Sequence, residues 1–187
     1  RGAVADSLTA TAGFIRERMA GEYDVDEFGF DPHFTEAVWF PAIRQVYEKW
    51  FRVEVSGIEN LPREGGALLV ANHAGTIPID AIMTSLAVRD NHPTGRYLRL
   101  LAADMAFESP GVSEVARRIG ATVACTNDAD RLLRAGELTA VWPEGFKGIG
   151  KLYKDRYKLQ RFGRGGFVTT ALKNAAPIIP VSIVGSE

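Results

Sequence analysis

The sequence predicts an α/β domain, a mostly parallel sheet flanked by helices, with a helical segment at its N-terminus. Three observations carry this prediction. From residue 51 onward, short apolar runs alternate with stretches of helical periodicity, the pattern of repeated strand–helix–strand units. Ala67 to Ala71 is continuously apolar rather than alternating, as a buried strand is, and 177–184 is rich in β-branched residues. Before residue 51 that alternation is missing and helical spacing dominates. The expected division is therefore 1–50, an N-terminal helical segment packed on the domain or facing a membrane, and 51–187, the α/β domain. A start at Arg1 without methionine and a stop at Glu187 just past an apolar strand are read as the ends of a fragment, with the domain cut short at its C-terminus.

In chain order, Leu8, Ala12, Ile15 and Met19 recur at helical spacing and predict a helix over 4–20 that ends near Gly21. Residues 22–32 form an acidic, aromatic link expected to pack as a loop through Tyr23, Phe28 and Phe30. Residues 34–52 place Val38, Trp39, Ile43, Val46, Tyr47 and Trp50 on one broad face, opposite Glu36, Arg44, Gln45 and Glu48. This predicts a helix bent at Pro41, lying either on a membrane surface or on the sheet. Strands are expected at 52–55, 67–72, 97–103, 121–125, 138–142 and 177–184, and helices at 80–88, 113–119, 128–135 and 165–174.

With 187 residues, 46% of them hydrophobic and 24% charged, the chain is long enough for one domain with a substantial core. The single cysteine, Cys125, excludes an internal disulfide and fits no zinc pattern, which suits a reducing compartment; no metal and no bound cofactor are expected. Ending an apolar strand with no lysine or arginine beside it, Cys125 is expected to be a buried small hydrophobe rather than a nucleophile. No apolar run is long enough to span a bilayer, so any membrane contact is expected to be peripheral. Charge is unevenly spread. Residues 1–62 hold eleven acids against six bases, whereas 147–164 hold seven bases against Asp155 alone. Such a basic run suits phosphates of substrates or of a bilayer surface, and Lys147, Lys151, Arg156, Arg161 and Arg164 are its candidate ligands. His33 and His92 carry no pattern.

Chemistry concentrates at three points. Asn72-His73-Ala74-Gly75-Thr76-Ile77-Pro78-Ile79-Asp80 follows a strand and opens a helix, which sets an imidazole and a carboxylate on one corner. A general base needs that pairing to fix its tautomer and stabilise the imidazolium. Trp142-Pro143-Glu144-Gly145-Phe146-Lys147 follows a second strand, and Thr126-Asn127-Asp128 follows a third. In parallel sheets ligands bind beyond the carboxyl ends of the strands, where all three should lie.

Taken in order, the His73/Asp80 block, the Trp142-to-Lys147 block and the closing Pro177-Ile178-Ile179-Pro180-Val181 strand resemble the glycerophospholipid acyltransferase family, over residues 72–185. Gly120-Ala121-Thr122-Val123-Ala124-Cys125 resembles that family's second block, with Thr126, Asn127 and Asp128 where an arginine is usual. Six residues separate His73 from Asp80 instead of the usual four, and Lys147 stands for an arginine. The longer spacing is similar to branches that acylate neutral lipid alcohols.

The resemblance implies acyl transfer from acyl-CoA or acyl carrier protein, used as a co-substrate, to a hydroxyl of glycerol phosphate or a lysophospholipid. In that scheme His73 is the general base and Asp80 its orienting acid, while Glu144, Gly145 and Asn127 join the basic residues in substrate binding. Backbone amides near Gly75 or Gly145 are candidates for the oxyanion. The expected partners are these substrates and the cytoplasmic face of a membrane, with no nucleic acid. A thioesterase or lipid esterase and a non-catalytic lipid-binding module are the competing classes.

Overall fold

Ala67–Ala71 (β1), Leu98–Ala102 (β2), Ala121–Val123 (β3), Leu138–Val141 (β4) and Ile178–Val181 (β5) form one sheet in the order β3-β2-β4-β1-β5. Every neighbouring pair is parallel, so all five carboxyl ends share one edge. The computed structural model describes residues 13–21, 23–73, 77–162 and 165–186. Within them the expected α/β architecture is present, and helices cover both faces.

Alternation along β1 sorts its side chains between those faces. Ala67, Leu69 and Ala71 join Leu98, Leu100, Leu138 and Ala140 in a core closed by Ala81 and Val88 of helix Ile79–Asn91. Leu68 and Val70 point the other way, onto Leu133 of helix Thr126–Arg134 and Ala171 of helix Gly166–Lys173. Burying each such leucine contributes about 1.5–3 kcal/mol, so β1 is the most heavily invested strand. Pro180 sits in β5, an edge strand, where a missing N–H is tolerated.

The N-terminal segment differs in detail from its expectation. Residues 13–20 are helical, and the rest of the helix expected from residue 4 lies outside the described residues. The 23–31 link packs through two of its three aromatics: Phe28 and Phe30 are buried, with Asp26 Oδ1 accepting from the amides of both at 2.8 and 2.9 Å, whereas Tyr23 is exposed with the Arg18 guanidinium over its ring. The long helix runs as Pro32–Phe34, a wide π turn Thr35–Trp39, Phe40–Gln45 and a second π turn Val46–Phe51. The first π turn lies just before Pro41, which lacks an amide and would clash with a carbonyl one turn back; widening that turn relieves the clash. Its Phe40 and Tyr47 pack on Met83, Leu86 and Ala87, whereas Trp50 stays exposed.

The strand expected at 52–55 does not form. Arg52 adopts a left-handed conformation (φ 49°) that ends the helix, and Val53 then turns inward onto the Phe40–Leu86 cluster. Alternation alone does not supply a sheet edge to pair with. Short helical turns at Asp104–Phe107, Phe146–Ile149 and Tyr153–Asp155 were not legible in the periodicity. Among the described residues, no helix is long and apolar enough to cross a membrane.

Candidate active site

β1 and β4 are neighbours, so the residues that follow them, His73 and the Trp142–Lys147 block, emerge side by side at the carboxyl edge. Asp80 arrives from the first turn of helix Ile79–Asn91, where the positive end of the helix dipole favours a carboxylate. The six-residue spacing brings the pair within reach: His73 Nδ1 lies 2.6 Å from Asp80 Oδ2. Asp80 is 1% exposed, and its Oδ1 accepts from the Ala81 amide at 2.8 Å. A carboxylate so placed holds the proton on Nδ1 and leaves the Nε2 lone pair available, the state a general base requires. Residues 74–76, including the Gly75 amide considered for the oxyanion, lie outside the described residues.

Glu144 is buried beneath this corner. Its Oε1 accepts from the His73 backbone amide at 2.9 Å; its Oε2 accepts from the Gln160 amide at 2.7 Å and meets Lys151 Nζ at 3.2 Å. The geometry therefore occupies Glu144 with the His73 and Gln160 amides and with Lys151, whose ammonium also donates to the Lys158 carbonyl at 3.3 Å. The Gly145 amide donates to the Trp142 carbonyl at 3.1 Å, which commits it to a turn, and Gly145 itself has the positive φ (52°) that turn requires. Gly148 has a role that sequence reasoning missed. A Cβ there would lie 2.8 Å from Glu144 Cβ and 3.0 Å from His73 Cβ, so only glycine lets this short helix close against the histidine. The signal was the pair Gly148 and Gly150 between lysines, which reads equally as an anion-binding loop.

Asn72 was also undervalued. Its side chain donates to the Ile183 carbonyl at 2.8 Å and accepts from the Ile183 amide at 2.7 Å, latching the end of β1 to the chain leaving β5. Trp142 packs beside the site, its ring centroid 6.1 Å from that of His73.

The remaining candidates are dispersed. Lys147 and Arg161 are exposed; Arg156 is half-buried and stacks on Tyr153 and Tyr157; Arg164 lies outside the described residues. Asn127 and Cys125 follow β3, three strand positions from β1, which at the usual strand spacing is about 14 Å from His73. Contrary to expectation, Cys125 is exposed. β3 stops at Val123, and the cysteine caps the next helix, its sulfur accepting from the Asp128 amide at 3.5 Å. Among the described residues, no group of three or more His, Cys, Asp or Glu could hold a metal ion.

Beside Asp80, a cavity of about 630 Å³ opens between the 51–61 segment, helix Ile79–Asn91 and the chain from Ile179 to Ser186. Much of its lining is apolar, including Met83, Ala87, Ile179 and Val181.

Comparison with known proteins agrees with this fold. The acyltransferase family model matches residues 52–184. An uncharacterised protein of Mycobacterium leprae is 64% identical over 184 residues, 98% of this chain and 50% of that protein. The human DGAT1/2-independent enzyme synthesizing storage lipids is 31% identical over 134 residues, covering 71% of this chain and 40% of that enzyme. The chain thus spans about half, or less, of the length of these relatives. The crystal structure of the 1-acyl-sn-glycerophosphate acyltransferase PlsC from Thermotoga maritima shares the fold, with a TM-score of 0.53 and 20% identity over 97% of this chain and 75% of that one. With the family match covering the whole sheet, and the His73–Asp80 pair and Glu144 at its carboxyl edge, the chain belongs to the acyltransferase family.

Proposed function

We propose that the chain carries the catalytic centre of a peripheral membrane O-acyltransferase of lipid synthesis, working at the cytoplasmic face. It moves a fatty acyl group from an acyl-CoA or acyl carrier protein thioester to a hydroxyl of a glycerol phosphate, a lysophospholipid or a neutral glycerolipid. The observation that carries this reading is the His73–Asp80 pair, 2.6 Å apart, in a member of the acyltransferase family.

His73 Nε2 takes the acceptor hydroxyl proton as the oxygen attacks the thioester carbonyl, and Asp80 stabilises the imidazolium that results. Collapse of the tetrahedral intermediate breaks the C–S bond and expels the thiolate. The imidazolium then returns its proton to that sulfur, so no acyl-enzyme forms and no cofactor beyond the two substrates enters. General base catalysis contributes on the order of a hundredfold to ten-thousandfold, and holding both substrates in line must contribute much of the remainder. The cavity beside Asp80 has the size to take an acyl chain, and Met83, Ala87, Ile179 and Val181 supply an apolar side to its mixed lining. Exposed Lys147 and Arg161 are the phosphate ligands of this reading.

A neutral alcohol such as a monoacyl- or diacylglycerol is the second reading. It is favoured by Asn127 standing where an arginine is usual, by the internal pairing of Lys151 with Glu144, and by the storage-lipid relative. The test is a screen with one labelled acyl-CoA against glycerol 3-phosphate, lysophosphatidate, other lysophospholipids, monoacylglycerol and diacylglycerol. One acceptor should be acylated by the wild type and not by His73→Ala. Transfer surviving in His73→Ala would sink the mechanism, and release of free fatty acid without any acceptor would identify a hydrolase.

A further inference from the structure

We infer that the segment 151–162 is a membrane-docking loop, seated on an anionic bilayer and wired through Glu144 to the strand end that carries His73. The inference rests on the proposed reading only in taking the acceptor to be a lipid.

Within eight residues, Leu152, Tyr153, Tyr157 and Leu159 are 63%, 74%, 67% and 69% exposed. Single exposed hydrophobic residues are ordinary on a protein surface, but four large ones on one short segment mark a binding surface. The segment is folded, not extended: the Asp155, Arg156 and Lys158 amides donate to the Leu152, Tyr153 and Asp155 carbonyls at 2.8, 3.3 and 2.9 Å. Bases are interleaved with the apolar tips. Lys154, Lys158 and Arg161 are exposed, and the Arg156 guanidinium stacks over Tyr153 at 4.1 Å and Tyr157 at 4.9 Å. Asp155 is the sole acid of the segment, and Lys158 neutralises it at 2.9 Å.

Leucines that enter the acyl boundary, tyrosines that sit at head-group level and cations beside them are complementary to an anionic lipid surface. The helix through residues 32–51 suits this role less well, since its Phe40 and Tyr47 are already packed on the domain.

Both ends of the loop meet the active site. Lys151 at one end and the Gln160 amide at the other contact Glu144 Oε2, while Oε1 of the same carboxylate holds the His73 amide. Seating the loop on a bilayer brings the carboxyl edge of the sheet to the head groups, where a lipid hydroxyl reaches His73 without leaving the membrane.

Wild-type chain and the triple variant Leu152→Ser/Tyr157→Ser/Leu159→Ser would be floated with vesicles of phosphatidylcholine, with and without phosphatidylglycerol, at low and high salt. Acyl transfer would be followed to an acceptor in vesicles and to a short-chain acceptor dispersed as monomers. The wild type should prefer anionic vesicles and lose binding as salt rises. The triple variant should lose at least about tenfold in partitioning and in transfer to the vesicle acceptor, while keeping its transfer to the monomeric one. Three results overturn the inference: unchanged vesicle binding by the variant, no vesicle binding by the wild type, or equal loss of transfer to both acceptors. Vesicle binding that needs the three side chains in a wild type that acylates nothing supports the docking loop and sinks the acyltransferase reading instead.

Discussion

At the amino end of the sheet Arg99, 1% exposed, is enclosed by the chain's own loops: Asp26 at 2.7 Å, Glu137 at 3.6 Å, the Gly120 carbonyl at 3.4 Å and the ring of Phe30 beneath the guanidinium at 4.7 Å. At the carboxyl end Asp80 is equally buried, but its charge is directed onto an imidazole whose second nitrogen remains available to a substrate. Taking either charge out of water costs several kcal/mol, so each must be offset by what it organises. Arg99 ties the 23–31 link and the turns before β3 and β4 to the sheet. Asp80 fixes the tautomer of one residue. The same device, a buried charge, is architectural at one end of a parallel sheet and, on the proposed reading, serves the chemistry at the other.

This contrast breaks down first, if it is wrong, at the carboxyl end. His73→Ala should lower acyl transfer by about a hundredfold to ten-thousandfold, with its urea midpoint close to that of the wild type. A large loss of stability would make His73 architectural too. At the amino end Arg99→Leu should do the opposite. Breaking a buried ion pair costs about 3–5 kcal/mol, and because Asp26 and Glu137 keep contact with water the expected loss is about 2 kcal/mol in denaturant unfolding. Transfer per folded molecule should be unchanged.

Gly148→Ala sharpens the comparison. The added methyl must displace Glu144 or His73 by roughly half an ångström, so turnover should fall by about tenfold while the acceptor KM stays near its wild-type value. Wild-type turnover would mean that the short helix yields instead of the histidine. Smallest of all, Cys125→Ser should leave transfer unaltered, and a loss would return the exposed thiol to consideration.

The strands and their parallel arrangement were legible in the sequence because the runs before β5 are short, apolar and largely buried, as in β1 and β4, and each is followed by a helical stretch; β5 is half exposed and was legible from its β-branched residues instead. The 52–55 strand misled because Val53 and Val55 alternate with Arg52 and Glu54 as edge residues would, while the left-handed turn at Arg52 is invisible to periodicity. At the site, His73 and Asp80 were readable as a strand-to-helix corner. Glu144 was readable as a site residue, but its position was not: a carboxylate beside lysines looks ready for substrate, and only the fold shows its two oxygens occupied by the His73 amide, the Gln160 amide and Lys151. Cys125 was misjudged because the end of an apolar run is not the end of a strand. β3 is three residues long, and by Cys125 the chain has already turned to begin the next helix.

Pro180 has a consequence for association. The Leu68 amide donates to the Pro177 carbonyl, so by alternation residues 178 and 180 turn their backbone groups away from β1 toward the outer side of β5. On that open side a proline offers no donor. Among the described residues no strand pairs with this side of β5, and one from another molecule that tried to extend the sheet there would lose a ladder hydrogen bond in mid-register, which disfavours edge-to-edge aggregation.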